Sequence, residues 1–230
     1  MTTSSEKTAV IIVAAGSGSR FGSELPKQFC LLDGRPVLIH AVSRFRRALP
    51  HARIIVVVAS DRKDFWMQMS RTENIGYTTT AIGGATRWES VRNALEIIDP
   101  DTETILVHDG ARPLVEADVI FRLLNAIGRG ADGALPVMPM IDSLRMQTDS
   151  GSTAVDRSRF HAVQTPQAFC AAHLRSAYRL PWSPLMTDDA SVMENAGFTD
   201  IALVEGSEKT LKITRPLDIR IAELYLRENQ

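Results

Sequence analysis

Four short runs rich in Val, Ile and Ala constrain the fold of this chain more than any other feature. They read AVIIVAA (residues 9–15), ARIIVVVAS (52–60), TILVHDG (104–110) and, less purely, GADGALPVM (130–138). A strand with one face in water alternates polar and apolar residues, whereas a continuous apolar run fits a strand covered on both faces, as in a parallel sheet. Helical stripes lie between the runs. Val37, Leu38, Ala41, Val42 and Phe45 form one, and Val91, Ala94, Leu95 and Ile98 form another at i, i+3, i+4 and i+7. The alternation predicts an α/β fold, a mostly parallel central sheet flanked by helices, in a single domain spanning residues 1–230.

Composition narrows the function classes. The 230 residues are 44% apolar and 23% charged, as in an ordinary globular protein, and 26 Lys and Arg nearly balance 27 Asp and Glu. No global positive field is available to hold a nucleic-acid backbone, so no nucleic-acid partner is expected. Cys30 and Cys170 form no CxxC pair and have no His at a zinc-ligand spacing, which argues against a disulfide scaffold or structural zinc. MTTSSEKTAV lacks the order of a secretory signal, and IIVVVA (54–59) is far too short to span a membrane. A cytoplasmic protein with no membrane partner is expected.

The loop after the first run, AAGSGSRFGSELPKQF (14–29), carries Gly16, Gly18 and Gly22 together with Arg20 and Lys27. It is neither a dinucleotide fingerprint, because Phe21 stands where GxGxxG needs its third glycine, nor a GxxxxGK[ST] phosphate loop. Glycines after a strand still let backbone N–H groups approach phosphate oxygens at the carboxyl edge of a sheet. Pro26 favours an extended segment before Lys27, so both cations can converge above the loop. Such a pair suits a reaction in which negative charge accumulates on phosphorus oxygens. A plain strand-to-helix turn with two solvated cations is the alternative.

Two further segments stand out. Thr86 and Glu89 form a capping-box pattern directly after Gly83 and Gly84, which places an open backbone at a helix amino terminus. Residues 139–162 contain the polar, turn-rich stretch MIDSLRMQTDSGSTAVDRSRF, with a DSGS turn between possible strands, and are read as a projecting β-arm. A strand at IALVEG (201–206) and a closing helix with Leu217, Ile221, Leu224 and Tyr225 on one face complete the chain.

These blocks occur together and in order. AAGSGSRFGSELPKQF, GGATRWES (83–90), VHDGARP (107–113), VDRSRFHAVQTPQAF (155–169), TDDAS (187–191) and LKITRP (211–216) resemble the 2-C-methyl-D-erythritol 4-phosphate cytidylyltransferase family from about residue 9 to 227. The resemblance implies a Rossmann-like nucleotidyltransferase that joins CTP to methylerythritol 4-phosphate and releases pyrophosphate, on the non-mevalonate route to isoprenoids. It implies that Arg20 and Lys27 stabilise the charged transition state, and that Arg157 and Lys212 position the acceptor. Ala14, Ala15, Gly16, Ser17, Gly18 and Ser19 would cradle CTP, with Gly84, Arg87, Ser90, Asp109 and Gly110 completing the nucleotide site. Arg112, Ser143 and Thr165 would be lesser acceptor contacts. The family's arm reaches across a homodimer, so Arg157 and Ser143 would complete the neighbour's site.

The chemistry agrees with these residue types. A sugar phosphate has a second pKa of about 6, so its oxygen is already anionic near neutral pH and needs no general base. Catalysis then rests on Mg²⁺, held mainly by the CTP phosphates rather than by protein ligands, and on Lys and Arg that offset repulsion. The chain departs from the family pattern at Ile141, often basic or polar, at Ser143, usually Thr, and at Ala85, commonly acidic.

Other residues and functions have competing readings. Arg87 in the first turn of a helix opposes the macrodipole, which disfavours a purely structural role. Asp188 and Asp189 follow Thr187 at a helix start and are explained by capping and the dipole. Lys212, between Leu211 and Ile213, would face away from their core side in a strand. His108 is expected to be a packed or hydrogen-bonded strand residue. Ribitol 5-phosphate cytidylyltransferases share the loop but typically open it with AGG and usually lack the VDR of 155–157 and the arginine of LKITRP. A nicotinamide-dependent oxidoreductase is disfavoured by the late third glycine, and a noncatalytic nucleotide-binding protein by the presence of both Arg20 and Lys27.

Overall fold

In a computed structural model, residues 5–16 and 25–228 are described. The strands, in chain order, are β1 (Thr8–Ala14), β2 (Leu31–Leu32), β3 (Arg35–Pro36), β4 (Arg53–Val58), β5 (Thr79–Ile82), β6 (Thr104–Asp109), β7 (Gly133–Pro139), β8 (Leu144–Thr148), β9 (Gly151–Val155), β10 (His161–Val163), β11 (Gln167–Cys170) and β12 (Ile201–Glu205). The helices are α1 (Val37–Ala48), α2 (Lys63–Thr72), α3 (Arg87–Leu95), α4 (Ala117–Gly128), α5 (Ala171–Ala177), α6 (Asp189–Asn195) and α7 (Pro216–Arg227).

The central sheet runs β10-β7-β11-β6-β1-β4-β5, with β12 also paired to β7. All four apolar runs became strands in it. The pairs β1–β4, β1–β6, β4–β5 and β7–β12 are parallel. Strand β11, which no sequence pattern marks, inserts antiparallel between β6 and β7. Its QAFC is too short and mixed to show a period, and its pairing is decided by the neighbours on either side.

The continuous apolar runs follow from cores on both faces. Val10, Ile12 and Ala14 of β1 join Val42 and Phe45 of α1, Trp66 of α2, and Val119, Ile120 and Leu123 of α4. Ala9 and Ile11, pointing the other way, join Val91 and Ala94 of α3, Leu174 of α5 and Met193 of α6. A smaller cluster ties Leu32, Val37, Leu114 and Ile213 to Ala222 of α7. The expected face of α7 differs: Leu217 and Leu224 are 60% and 59% exposed, while Ile219, Ala222, Tyr225 and Leu226 turn inward. Only a narrow cluster is available to α7, so the stripe that packs there is Ile219–Ala222–Tyr225/Leu226, roughly a third of the way around the helix from the expected one.

Register brings the parallel strand ends to one edge: Ala14 lies opposite Val58, Val58 opposite Ile82, and Val13 opposite Asp109. The loops that follow β1, β5 and β6 therefore converge, as expected of a ligand edge. The arm is present as a hairpin in which, among the described residues, β8 and β9 pair only with each other, from Leu144↔Val155 to Thr148↔Gly151.

The start of α3 is fixed by a complete capping box. The Thr86 hydroxyl accepts from the Glu89 N–H at 3.0 Å, and the Glu89 carboxylate accepts from the Thr86 N–H at 3.0 Å. Thr86→Ala is expected to lower stability by about 1 kcal/mol, read as a reduced urea midpoint at unchanged slope. An unchanged midpoint would show that packing alone sets this helix start.

Candidate active site

Asp109 ends β6 at the convergent edge. The next residue, Gly110, donates its N–H to the Val13 carbonyl at 2.8 Å, and a Cβ there would meet Leu38 at 2.9 Å and Ala14 at 3.1 Å. The chain can turn this tightly only because residue 110 has no side chain. The Asp109 carboxylate, 12% exposed, accepts from Lys212 Nζ at 2.7 Å and Arg87 Nε at 3.4 Å, with Arg112 Nε 3.9 Å away. Burial alone would raise its pKa, but the charges of Arg87 and Lys212 and the hydrogen bond from Lys212 hold it well below the usual carboxylate range.

Lys212 reaches this position from irregular chain, not from a strand. Ile213 is fully buried and donates its N–H to the Ala111 carbonyl at 2.8 Å, which pins the segment beside β6 and directs Lys212 to Asp109. Arg112 donates Nη1 to the Thr210 carbonyl at 2.7 Å, tying the same segment to the turn after Asp109.

Arg87 has a structural partner that the sequence reading missed. Asp189, fully buried, receives both arms of the guanidinium, Nη1 to Oδ1 at 3.0 Å and Nη2 to Oδ2 at 2.7 Å. Burial opposes the charge on Arg87, but Asp189 and Asp109 outweigh it and raise its pKa well above the usual value. The Tyr178 hydroxyl donates to Asp189 Oδ1 at 2.6 Å; burial and that carboxylate push its pKa well up. Asp188 caps α6 as expected, accepting from the Ser191 N–H at 2.9 Å. Its neighbour is thus more than a dipole complement: the two carboxylates explain how a cation sits in the first turn of α3. Of the adjacent acids, sequence spacing gives no sign of which reaches across 102 positions.

Two predicted hydroxyl contacts face the framework instead. Ser90 is buried; its Oγ donates to the Thr86 carbonyl at 2.9 Å and accepts from the Gly84 N–H at 3.2 Å, shaping the Gly83–Gly84 turn. A Cβ on Gly83 would come within 2.3 Å of the Ala15 Cβ, so that turn packs directly on the end of the β1 loop. Thr165 is also buried, and its Oγ1 accepts from the Asp109 N–H at 3.0 Å and lies 3.2 Å from His108 Nδ1. His108 Nε2 is 2.9 Å from the Arg112 carbonyl, which only accepts. The proton therefore sits on Nε2, and Nδ1 accepts from Thr165. Both hydroxyls hold the backbone of candidate ligand residues; neither is turned to solvent. His108 is buried, as the sequence suggested, and burial lowers its pKa to about 4.

Gln28 is a second residue the sequence reading missed. Its buried amide donates to the Ala14 carbonyl at 2.7 Å and the Gly16 carbonyl at 2.9 Å, holding the start of the loop against the short helical turn Lys27–Phe29. Ala15 and Gly16 lie at this edge, with Lys27 beside the Gln28 anchor. Ser17, Gly18, Ser19 and Arg20 lie outside the described residues. Arg157 and Ser143 are exposed on the arm, where Arg157 donates to the Ile141 carbonyl.

The edge thus presents Arg87, Arg112 and Lys212 around one carboxylate, next to open glycine backbone, an arrangement suited to a polyanion. Comparison with known proteins agrees. The family model of 2-C-methyl-D-erythritol 4-phosphate cytidylyltransferase matches residues 8–228. Similar chains include the enzymes of that name from Porphyromonas gingivalis, 42% identical over 96% of this chain and 98% of its own, and Bacteroides thetaiotaomicron, 39% identical over 96% and 100%. Among solved structures, the Thermus thermophilus cytidylyltransferase is 31% identical with a TM-score of 0.73, covering 95% of this chain and 98% of its own. The 4-diphosphocytidyl-2C-methyl-D-erythritol synthase of Anaerococcus prevotii is 26% identical with a TM-score of 0.81, covering 96% and 98%.

The neutral His108 makes stability depend on pH. Its pKa falls from 6.5 unfolded to about 4 folded, so between those values the unfolded chain binds more protons and stability drops as pH is lowered. The difference in unfolding free energy between the wild-type protein and His108→Gln should shrink by about 1.4 kcal/mol per pH unit in that window. Denaturant titrations at several pH values measure it; a pH-independent difference would mean that His108 accepts its proton without penalty.

Proposed function

The chain belongs to the 2-C-methyl-D-erythritol 4-phosphate cytidylyltransferase family, and from that premise we infer that it transfers a cytidylyl group from CTP to 2-C-methyl-D-erythritol 4-phosphate. The products are 4-diphosphocytidyl-2-C-methyl-D-erythritol and pyrophosphate, within the non-mevalonate supply of isoprenoid precursors. A phosphate oxygen of the acceptor attacks the α-phosphorus, a P–O–P bond forms, and the bond to the β-phosphate breaks. No proton has to move, in keeping with a site whose one histidine is buried and neutral. The observation that carries the reading is the family match over residues 8–228. The named relatives act, by name, on methylerythritol phosphate, which favours it over ribitol phosphate as acceptor.

In this reading the backbone from Ala14 to Ser19, with Gly84 and Gly110, receives CTP, and Arg20 and Lys27 offset charge building at the α-phosphorus. Arg87 contributes through its guanidinium edge while Asp189 holds it. Lys212 and Arg112 face the acceptor, oriented by Asp109. Ser90 and Thr165 act by holding the backbone of Gly84 and Asp109. Mg²⁺ is read as arriving on the triphosphate; among the described residues no group of three or more His, Cys, Asp or Glu could hold a metal ion. When bound there, the ion would neutralise triphosphate charge.

The reading extends to a homodimer in which the arm completes the neighbouring site. Support comes from a hairpin that pairs only with itself and from Ile141, Met146 and Phe160, all largely exposed around it. A cytoplasmic location is part of the same reading. No helix among the described residues is long and apolar enough to cross a membrane.

Two measurements test these statements. Pyrophosphate release with CTP and Mg²⁺ is expected with methylerythritol phosphate and not with ribitol phosphate; turnover with ribitol phosphate alone would overturn the acceptor. Lys27→Ala and Arg157→Ala proteins, each inactive alone, should regain about a quarter of wild-type activity when mixed equally, because half the dimers are hybrids with one intact site. No recovery after verified subunit exchange would refute a shared site.

A further inference from the structure

A cavity of about 590 Å³ lies at the opposite edge of the sheet, where β4 begins at Arg53 and the turn after α3 leads to β6. Four arginines line it, Arg53, Arg92, Arg175 and Arg179, against an apolar wall that includes Leu95 and Ile97. Glu96 and Asp99 also border it, so cations outnumber carboxylates two to one. Arg175 is fixed by donating Nη2 to the Asp99 carbonyl at 2.7 Å, and Arg92 lies over the Trp88 ring at 5.4 Å. Arg53 and Arg179 are exposed, and neither guanidinium engages a carboxylate among the described residues.

We propose that this cavity is a second ligand site, for a phosphate or diphosphate ester with a short apolar tail, coupled to the active site through Tyr178. Guanidinium forks match phosphate oxygens in geometry as well as charge. The volume is that of a small-molecule site, typically about 300–1,000 Å³, and the Leu95–Ile97 wall would have no counterpart on a bare ion. Tyr178 lines the cavity, stacks on Trp88 with ring centroids 5.6 Å apart, and donates its hydroxyl to the Asp189 carboxylate that forks Arg87. Helix α3 carries Arg87 at its first position and Arg92 five residues on, about 7.5 Å further along its axis. A ligand that draws Arg92 off Trp88, or shifts the Tyr178 ring, therefore alters the support of Arg87. Occupancy of the cavity does not depend on the family reading; the coupling to CTP rests on it.

Hexyl phosphate is the probe, titrated calorimetrically into protein saturated with CTP and compared with inorganic phosphate. It should bind at least about tenfold more tightly than inorganic phosphate, and Arg53→Ala/Arg179→Ala should weaken it by about tenfold or more while leaving basal turnover unchanged. Displacement of hexyl phosphate by CTP, or equal binding by the double variant, would overturn the site. Hexyl phosphate should also shift the Kd for CTP severalfold, and CTP its Kd by the same factor. Tyr178→Phe should abolish that shift while still binding hexyl phosphate; a shift that survives overturns the proposed route. Absence of CTP binding by the wild-type protein would count against the family reading and leave the cavity result standing.

Discussion

Asp109 is a carboxylate almost removed from water at the one place where the strand ends meet, and the candidate site is arranged around it. Withdrawing such a charge from solvent costs several kcal/mol unless cations and hydrogen bonds compensate. Lys212 and Arg87 do so directly, from segments more than a hundred residues and twenty residues away in sequence. The dependence is mutual. Without Asp109, Arg87, Arg112 and Lys212 would repel one another across a partly buried edge; with it, they stand together and still leave net positive charge facing the ligand side.

Around this centre the polar framework runs in one direction. The Asp109 N–H donates to Thr165, Thr165 to His108, and His108 to the Arg112 carbonyl. Each group has one role left once its neighbour's is fixed, so the chain orients the strand end and the turn after it as a unit. Arg87, Asp189 and Tyr178 form a second such unit, which roots the first turn of α3 in the core between sheet and helices. The binding edge is thus stiff on its protein side.

Much of the fold was legible because local pattern and environment agreed. The β1, β4 and β6 runs carry apolar residues at consecutive positions because both faces are covered, as where Val10 and Ile12 look into one core and Ala9 and Ile11 into the other. Thr86 and Glu89 announced the start of α3 because a capping box is complete within four residues. What stayed hidden was set by distant partners. Nothing near Asp189 distinguishes it from Asp188, since its role is decided by where α3 places Arg87. The flanking Leu211 and Ile213 say only that Lys212 would face away from them in a strand, whereas the hydrogen bond from Ile213 to Ala111 holds the segment in irregular chain beside Asp109. Ser90 and Thr165 have the residue types of ligand contacts but sit one layer below, where a hydroxyl serves the backbone equally well.

Gln28 bears on the energetics of the glycine loop. Its amide nitrogen gives one hydrogen to Ala14 and the other to Gly16, so the chain between Gly16 and Gln28 is already a ring before any anion arrives. Bringing two chain positions together costs closure entropy. Here folding has supplied that term in advance. A carboxylate in place of the amide would face two carbonyl oxygens and lose both hydrogen bonds, releasing the end of β1 from the turn that carries Lys27.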